Sequence, residues 1–573
     1  MMNNKKIRLP DNCGFKWEGG LLLDEKGNEV CNFYPEVITR YKISLNGNCT
    51  YKILFHIGKE EHAVEKILSL EELQKYDYLN VSNYCMFGIN ISVSQIRRIL
   101  LYLIQKQILS LAASDKVLLG QLGWNILEDG KKVYCAGTEV IADGNVADIE
   151  VDASVKSRFQ FPIVSREVDV LKVCKKYLKL ECPTITTLIL TSVVASLRSL
   201  FVEAEVIPHF VVYIYGTTGT FKTTIAKYFA WLYGDNTKLG GLFGELESTN
   251  FALEQMIDLA KDVCVVIDDI APCQKNHNTK EKMEKAASLI RKATSGVGTK
   301  KGVDGKLKEI SFDVMMILTA ETLLETTSVM NRTILLNADK YKISAKALHL
   351  MEKYPDFSVQ LQRSIIEWAV GNPEEIVGAI HSMFRDFRNE EPKSSKGMSA
   401  NRLRETRHVL QVAWQLLVKW SDSFDAGYGS LLGVAEDVAD TMNRLMEDEY
   451  AIIRRMELQQ QPENILLLLL KVIDNKSIQI AESRVEFKLL EIEGKQEACF
   501  GLFHKGYLHL RDQKFLDFLQ YKYKKNITKS SFRKCLEKEG LLIKDKSKNR
   551  RKKLDGESYL VIDYEGLIEL FRE

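Results

Sequence analysis

The segment that most restricts the fold of this chain is a short apolar run followed at once by glycines, threonines and a lysine. Residues 211–224 read Val-Val-Tyr-Ile-Tyr-Gly-Thr-Thr-Gly-Thr-Phe-Lys-Thr-Thr. A strand that passes through a glycine-rich loop into a helix opening with Lys-Thr is typical of a P-loop, whose backbone N–H groups surround phosphates. The chain is therefore expected to contain an α/β sheet with a phosphate site at the carboxyl end of this strand.

The residues of this loop have separate expected roles. Gly216 and Gly219 allow sharp turns and a close approach to phosphates without a Cβ. Lys222 is expected to reach the β- and γ-phosphates, and the Thr223 hydroxyl to bind Mg²⁺. A helix from Thr223 to Tyr233 then directs its positive end at the phosphates. The predicted nucleotide-binding set is Gly216, Thr217, Thr218, Gly219, Thr220, Phe221, Lys222, Thr223 and Thr224.

One residue departs from the usual pattern G-x-x-x-x-G-K-[ST], because Phe221 stands where the pattern has its second glycine. A side chain at this point need not block binding. It does lower the specificity of the loop motif taken alone. The alternative is an ordinary strand-turn-helix in which the lysine has no phosphate-binding role.

A second apolar run, Val263–Ile267, ends in two carboxylates about forty residues after the loop. Asp268 is expected to join Thr223 in binding Mg²⁺, and Asp269 to polarise the attacking water. The two motifs in this order predict ATP and Mg²⁺ as cofactors and an ATPase activity.

Three further positions complete the predicted catalytic set. The strand predicted at Phe312–Leu318 leads to Glu321, a candidate sensor of the γ-phosphate. Two arginines are candidates for stabilising charge on the transferred phosphate, from the same or a neighbouring subunit. They are Arg291 and Arg332, the latter just before a strand predicted at Ile334–Asn337. Pairing with a carboxylate is the alternative for either arginine.

Two basic segments are candidate nucleic-acid contacts. Thr294–Lys308 is rich in glycine and lysine and predicts a hairpin, with a plain surface loop as the alternative. From Lys522 to Lys553, fourteen Lys and Arg stand against three acids, a local charge of +11 in a chain whose net charge is +2. The predicted nucleic-acid contacts are Lys300, Lys301, Lys306, Lys308, Lys529, Arg533, Lys534, Lys546, Lys548, Arg550 and Arg551.

The carboxyl-terminal basic segment also has a recognisable element order. A helix at Thr528–Glu539 is followed by a short apolar strand, a charged turn and the strand Tyr559–Asp563. This order is the outline of a winged helix, whose basic wing suits phosphate contacts. A solvated lysine face is the alternative.

With 573 residues the chain has room for several domains. The expected fold class is an α/β P-loop ATPase core with a β-rich amino-terminal domain, a helical collar and lid, and a carboxyl-terminal winged helix. The predicted bounds are 1–150 for the β-rich domain (partner or DNA binding), 151–206 for the collar, 207–340 for the ATPase core, 341–458 for the lid and 459–573 for the winged-helix domain. One helix, Ser92–Ala113, is expected in the first domain, where Trp124 is expected to pack internally, with an exposed contact as the alternative.

Cysteine usage and hydropathy predict a cytoplasmic protein. The eleven cysteines include no C-x-x-C pair, which argues against a zinc site or a disulfide framework. The chain opens with a polar, basic segment rather than a secretory signal. The longest apolar stretch, Thr184–Phe201, carries Arg198 and predicts a buried helix rather than a membrane span.

Four motifs of the chain belong together: the glycine loop, Ile-Asp-Asp-Ile-Ala-Pro, Thr-Ala-Glu and the arginine of Ser-Val-Met-Asn-Arg. In this combination they resemble a group of P-loop ATPases carried by phages, plasmids and genomic islands. That group includes the replication helicases of cassette chromosome elements and is related to AAA+ and superfamily III hexameric helicases. The resemblance covers about residues 200–340 well and the carboxyl-terminal tail loosely. It implies a homo-oligomeric, hexameric ring that translocates on DNA, with a winged helix beyond the motor.

Three functions are weighed on these grounds. The first is an ATP-dependent DNA helicase or translocase in replication initiation of a mobile element, with single-stranded DNA at the hairpin lysines and duplex at the winged helix. The second is an ATP-dependent assembly switch that regulates transposition or defence without unwinding. The third is a small-molecule kinase, against which the large flanking domains and the basic tail argue.

Overall fold

The structure is a computed structural model in which the chain forms two compact units, residues 1–446 and residues 447–573. The described residues are 9–43, 49–58, 62–75, 81–82, 84–111, 116–144, 146, 148–159, 169–230, 242–270, 276–301, 307–324, 327–390, 398–424, 430–460, 465–495, 498–523, 527–543, 552–554 and 557–571. Among them, no helix combines the length and the hydropathy that crossing a bilayer requires.

The amino-terminal part of the first unit is β-rich, as predicted. It contains a three-stranded sheet in the order β1-β2-β3, a second in the order β10-β9-β8, and a five-stranded sheet in the order β11-β7-β4-β5-β6. The strands are β1 (Phe15–Glu18), β2 (Leu21–Asp24), β3 (Glu29–Cys31), β4 (Phe33–Ile43), β5 (Cys49–Ile57), β6 (His62–Ser69), β7 (Lys116–Leu119), β8 (Gly123–Ile126), β9 (Lys132–Ala136), β10 (Glu139–Ile141) and β11 (Ile149–Val151).

Two helices accompany these strands. The predicted helix is present as α2 (Val93–Ser110), which begins after a capping box between Ser92 and Gln95. Its apolar face joins a core with the aromatic residues of β4 and β5, because its buried residues recur at helical spacing. The sequence did not predict α1 (Leu70–Lys75), a helix of six residues.

Four helices follow, α3 (Ala153–Arg158), α4 (Val170–Leu178), α5 (Pro183–Ser196) and α6 (Arg198–Glu203). Every residue of α5 is buried, which explains the apolar stretch of the sequence and confirms that it is buried and helical. The stretch forms two helices rather than the one predicted, because Leu197 leaves the helical conformation at φ −113° and ψ 11°. Arg198, buried at the start of α6, donates to Asp313 Oδ1 at 2.7 Å, so the charge within the apolar stretch is paired.

The centre of the first unit is a parallel sheet of five strands in the order β13-β14-β17-β12-β18. Their bounds are β12 (Val211–Tyr215), β13 (Phe243–Glu245), β14 (Cys264–Ile270), β17 (Met315–Ala320) and β18 (Thr333–Asn337). Because all five run the same way, their carboxyl ends share one edge. The last strand before Glu321 begins at Met315 rather than at Phe312 as predicted, since the backbone N–H of Phe312 bonds to Gly296 and holds that residue in the preceding connection.

Helices and one hairpin surround this sheet. The helix after the glycine loop is α7 (Lys222–Ala230), which starts one residue before the predicted Thr223, while the predicted end at Tyr233 lies outside the described residues. The other elements are α8 (Asn250–Leu259), α9 (Asn276–Ser295), β15 (Val297–Lys301), β16 (Leu307–Ser311) and α10 (Thr327–Met330).

The segment after the sheet is helical, as predicted. It contains α11 (Ala345–Lys353), α12 (Phe357–Gly371), α13 (Pro373–Glu390), α14 (Met398–Asp422), a 3₁₀ turn at Leu431–Val434 and α15 (Ala435–Gln460).

A fully buried carboxylate, Asp262, joins the β8–β9 hairpin, α6 and the start of β14. Its Oδ2 accepts the backbone N–H of Trp124 and the hydroxyl of Ser199, both at 2.8 Å, and its Oδ1 accepts the Ser199 N–H at 2.6 Å. Burial raises the pKa of Asp262, while Lys261 and these hydrogen bonds act in the opposite direction. A Cβ on Gly123 would lie 2.4 Å from Asp262 Oδ2, so this close approach requires glycine.

Trp124 packs internally, which confirms the prediction and excludes an exposed contact. The side chain is 2% exposed, and its indole N–H donates to the Ser196 carbonyl at 2.8 Å.

The second unit contains a five-stranded sheet in the order β19-β20-β21-β23-β22, with helices around it. Its elements are α16 (Ile465–Asp474), β19 (Gln479–Ala481), α17 (Arg484–Ile492), β20 (Cys499–His504), β21 (Tyr507–Leu510), α18 (Asp512–Tyr523), α19 (Lys529–Lys538), β22 (Lys552–Leu554), β23 (Glu557–Asp563) and α20 (Tyr564–Phe571). Apolar residues of α16, α18, α19 and β23 share one core. Leu542, after α19, also bridges to Ile562 of β23.

Candidate nucleotide-binding site

The glycine loop lies between β12 and α7 at the carboxyl edge of the parallel sheet, as the sequence predicts. Three of its residues have positive φ angles: Gly216 at 150°, Gly219 at 87° and Phe221 at 63°. Phe221 is therefore in the left-handed region that favours glycine, and its side chain is 47% exposed. Position 221 thus has a backbone conformation that favours glycine, the residue of the usual pattern, although a phenylalanine stands there.

Asp339, a residue that no sequence motif singled out, holds the start of the loop. Its Oδ2 accepts the Thr217 N–H at 2.9 Å and its Oδ1 accepts the Thr217 hydroxyl at 2.5 Å. A Cβ on Gly216 would lie 2.9 Å from Asp339 Oδ2, which explains the glycine at that position. The bonds from Thr217, with the Lys222 charge nearby, lower the pKa of Asp339.

Lys222 extends back over the loop. Its Nζ donates to the carbonyl oxygens of Gly216 and Thr217, both at 2.8 Å. The ammonium thus lies at the mouth of the loop, where a phosphate would offer it stronger, charged acceptors than two carbonyls.

Thr223 and Asp268 meet as the sequence predicts. The Thr223 hydroxyl donates to Asp268 Oδ1 at 2.7 Å, and the Thr319 hydroxyl donates to the same oxygen. They come together because β17, which carries Thr319, lies between β12 and β14. The side chain of Asp269 lies outside the described residues.

Glu321 also reaches the loop, since its Oε1 accepts the Thr218 hydroxyl at 2.5 Å. These residues enclose a cavity of about 350 Å³. It is lined by Thr218, Gly219, Thr220, Phe221, Lys222, Thr223, Thr224, Asp268, Thr319, Ala320 and Glu321. A hydroxyl and a carboxylate at its floor are oxygen ligands of the kind that Mg²⁺ prefers.

Arg291 and Arg332 line a second cavity, of about 430 Å³, rather than the first. Arg332 comes directly before β18, and its carbonyl accepts the N–H of Val211 at the start of β12. The glycine loop follows the other end of β12. Arg332 and the start of the glycine loop are therefore six residues apart along β12, which is about 20 Å at the rise of a strand. Within one chain, Arg332 is thus too far from the loop to touch a phosphate held there.

The predicted hairpin is present, with Lys300 of β15 paired with Lys308 of β16 in an antiparallel register. The side chains of Lys300, Lys301 and Lys308 lie outside the described residues, as does Lys306 altogether. The same holds for the predicted contacts Lys546, Lys548, Arg550 and Arg551.

Three predicted contacts lie on α19. Lys534 is exposed and Lys529 is half-buried. Arg533 instead donates to Asp512 Oδ2 at 2.6 Å, and the Asp512 side chain is only 3% exposed. The guanidinium of Arg533 therefore joins α19 to the start of α18.

Sequence reasoning assigned no role to two residues of the site, Asp339 and Thr319, the threonine of the Thr-Ala-Glu motif. Both follow from the order of the parallel strands, because β17 and β18 flank β12. The available signal was the polar residue at or just beyond the end of each predicted strand.

Comparisons with known proteins agree with this description at the level of fold. A protein-family model described as "Domain of unknown function (DUF927)" matches residues 37–283, which include the glycine loop and Asp268. None of the curated proteins compared with the chain matches it.

Two solved structures described as helicases are similar to the chain. One, described as "SCCmec type IV Cch - active helicase", has a TM-score of 0.57 at 12% identity and covers 97% of this chain and 98% of its own. The other, described as "The X-ray structure of JCV Helicase", has a TM-score of 0.23 at 11% identity and covers 44% of this chain and 61% of its own, and a score this low carries no argument. The chain thus has a mixed α/β fold with a parallel sheet, and it shares this fold along nearly its whole length with a structure described as an active helicase.

Proposed function

We propose that this protein is an ATP-dependent DNA helicase or translocase that acts in replication initiation of a mobile element. The observation that carries the proposal is the convergence of three features on one cavity: the glycine loop between β12 and α7, the Lys222 ammonium, and the Thr223–Asp268 pair. A loop, a cation and a carboxylate in this arrangement suit a nucleoside triphosphate with Mg²⁺.

The donor set fits Mg²⁺, since Thr223 and Asp268 supply a hydroxyl and a carboxylate oxygen 2.7 Å apart. Bound there, the ion would neutralise charge that develops on the phosphates. Thr319 would keep Asp268 oriented through its hydrogen bond to the same oxygen.

The other residues of the cavity have roles that follow from their positions. Lys222 would exchange its two loop carbonyls for the β- and γ-phosphate oxygens. Glu321, bonded to Thr218, would respond to a γ-phosphate that enters between them. Asp269 is the proposed residue that polarises the attacking water.

A ring of subunits is part of the proposal. Because Arg332 lies about 20 Å from the loop of its own chain along β12, any contribution of this arginine to hydrolysis would come from a neighbouring subunit. Arg291 lines the same cavity and would act in the same way. The proposed assembly is a hexameric homo-oligomer.

DNA is the proposed partner at two places. The β15–β16 hairpin would hold single-stranded DNA with Lys300, Lys301, Lys306 and Lys308. The second unit would bind duplex as a winged helix, because α18 and α19 are followed by strands that pair with one another and with β21.

The duplex contacts proposed for the second unit are Lys529, Lys534, Lys546, Lys548, Arg550 and Arg551. Arg533 is left out of this set because its guanidinium is paired with Asp512. The five-part division of the chain, with a collar and a lid, and a cytoplasmic location belong to the same proposal. The structure described as "SCCmec type IV Cch - active helicase" supports the helicase activity and the mobile-element setting.

The test is ATP hydrolysis and unwinding of forked DNA duplexes of both polarities by the full-length protein, beside Lys222→Ala. DNA-stimulated hydrolysis and strand separation that both require Lys222 would support a motor. Hydrolysis with ATP-dependent assembly on DNA, but without strand separation on either fork, would refute the helicase and favour the assembly switch. An absence of hydrolysis with and without DNA would refute both.

A further inference from the structure

The second cavity of the first unit gathers four arginines from four separate segments. Arg291 lies on α9, Arg332 precedes β18, Arg388 lies near the end of α13, and Arg402 lies in the first turns of α14. Since these segments are far apart in the chain, their convergence is a property of the fold and not of a local basic run.

The positive charge of this cavity is poorly balanced. Two exposed carboxylates, Glu205 and Glu405, also line the cavity, yet neither Arg291 nor Arg402 forms an ion pair or hydrogen bond with a residue that the structure describes. Burial, together with the charges of Arg402 and Arg291, lowers the pKa of Arg332. Guanidinium groups that repel one another at a cavity are stabilised when an anion joins them.

The cavity has the dimensions and the polar lining of a ligand site. Its volume is about 430 Å³, within the range of small-molecule sites. Thr294, Ser295 and Thr406 add hydroxyl groups to the lining. Residues 402, 405, 406 and 409 of α14 all line it, a spacing that directs one face of the helix at the cavity.

We propose that this cavity is a second anion-binding site, which takes phosphoryl groups and depends on Arg402 as well as on Arg291 and Arg332. Arginine suits phosphate because its planar fork donates two parallel hydrogen bonds. The phosphoryl groups come from one of two sources. If they belong to a nucleoside triphosphate, the inference rests on the proposed function, in which Arg291 and Arg332 meet the nucleotide of a neighbouring subunit, and it adds Arg402 to them. Otherwise they belong to the backbone of a nucleic acid. The site is about 20 Å from the glycine loop of its own chain along the strands, so it can bind its ligand independently of that loop.

The experiment uses the full-length protein carrying Lys222→Ala, which weakens binding at the glycine loop. Binding of inorganic triphosphate is measured by titration calorimetry in EDTA, and binding of a labelled oligothymidine by fluorescence anisotropy. Each is repeated after adding Arg402→Gln and, as the matched control, Arg385→Gln, an exposed arginine on α13 outside the cavity lining. Thermal unfolding verifies that each variant is folded.

We expect Arg402→Gln to weaken at least one probe about tenfold, since a charged hydrogen bond is lost, and Arg385→Gln to leave both unchanged. If only triphosphate binding is lost, the ligand of the cavity is the triphosphate group of a nucleotide. If only oligothymidine binding is lost, the ligand is the backbone of a nucleic acid. The proposal would be overturned if neither probe binds the Lys222→Ala protein, or if Arg402→Gln and Arg385→Gln have equal effects. Because ATP hydrolysis is not part of this measurement, the site can fail while the ATPase stands, and the reverse.

Discussion

Replacing Phe221 tests whether the loop has the backbone of a P-loop despite its missing glycine. The residue has a φ angle of 63°. We compare Phe221→Gly with Phe221→Ala, because both substitutions remove the ring and differ only at Cβ. The comparison therefore isolates the backbone conformation from the packing of the phenyl group.

The expected difference follows from two opposing quantities. A residue with a Cβ loses about 1–2 kcal/mol in the left-handed region. Glycine loses about 0.5–1 kcal/mol more backbone entropy on folding than alanine. Phe221→Gly should therefore be more stable than Phe221→Ala by about 0.5–1 kcal/mol. Gly378, within α13 and with open space around its missing Cβ, is the control, and there Gly378→Ala should stabilise the protein by about 1 kcal/mol.

Urea unfolding monitored by tryptophan fluorescence measures this difference, because all six tryptophans lie within the first unit. The two positions should give opposite signs for glycine against alanine. If alanine is as stable as glycine at position 221, the loop does not have the left-handed residue described above. ATP affinity of Phe221→Gly should stay at the level of the unaltered protein, since the substitution restores the usual pattern.

Two further predictions concern internal carboxylate contacts. Asp339→Ala removes both bonds to Thr217 and should weaken ATP binding about tenfold, measured by titration calorimetry, with Asp339→Asn in between because its amide oxygen still accepts one bond. The folded-state pKa of Asp339 is lowered, so its contribution to stability is present above the ordinary aspartate value of 3.8 and is lost as the pH falls through the lower folded-state value. The difference in unfolding free energy between the unaltered protein and Asp339→Ala should therefore disappear at low pH. A difference that persists there would contradict this account. Arg533→Ala removes the cationic partner of the buried Asp512 carboxylate and should destabilise the second unit by about 3 kcal/mol in unfolding followed by circular dichroism. Lys534→Ala, in contrast, should be neutral to stability and weaken duplex binding. Equal stability losses for these two variants would contradict the internal role of Arg533.

Local patterns were sufficient to predict the loop and the carboxylate of Asp268 that lies beside it. An apolar run that leads into glycines and Lys-Thr defines strand, loop and helix within fourteen residues, and a second run ends at Asp268. Both motifs lie at the carboxyl end of their own strand, so a parallel arrangement alone brings Thr223 and Asp268 to one edge.

The neighbours of the loop could not be predicted, because they depend on strand order. Asp339 reaches Thr217 only because β18 lies beside β12, and Thr319 reaches Asp268 only because β17 lies between β12 and β14. The sequence shows each strand but not its place in the sheet. The positive φ angle of Phe221 could not be predicted either, because phenylalanine, unlike glycine, does not indicate such a conformation.

The separation of Arg332 from the loop of its own chain, by contrast, has a signal in the sequence. Arg332 precedes its strand, whereas the loop follows its own. In a parallel sheet these two places lie at opposite edges. The order of residue and strand along the chain is therefore enough to separate this arginine from a phosphate at the loop of the same subunit.

The buried Asp262 has a consequence for how this protein can be dissected. Its carboxylate accepts a hydrogen bond from the backbone N–H of Trp124. It lies two residues before the strand that carries Asp268 to the cavity of the glycine loop. A shortened chain that begins at the glycine-loop strand would lose Trp124 and Ser199 together and leave this carboxylate without either. Buried polar groups that lose their partners are costly, so the excised core would be destabilised next to the strand that carries Asp268. The inactivity of such a fragment would reflect the missing amino-terminal segment and would not show that the loop is unable to function.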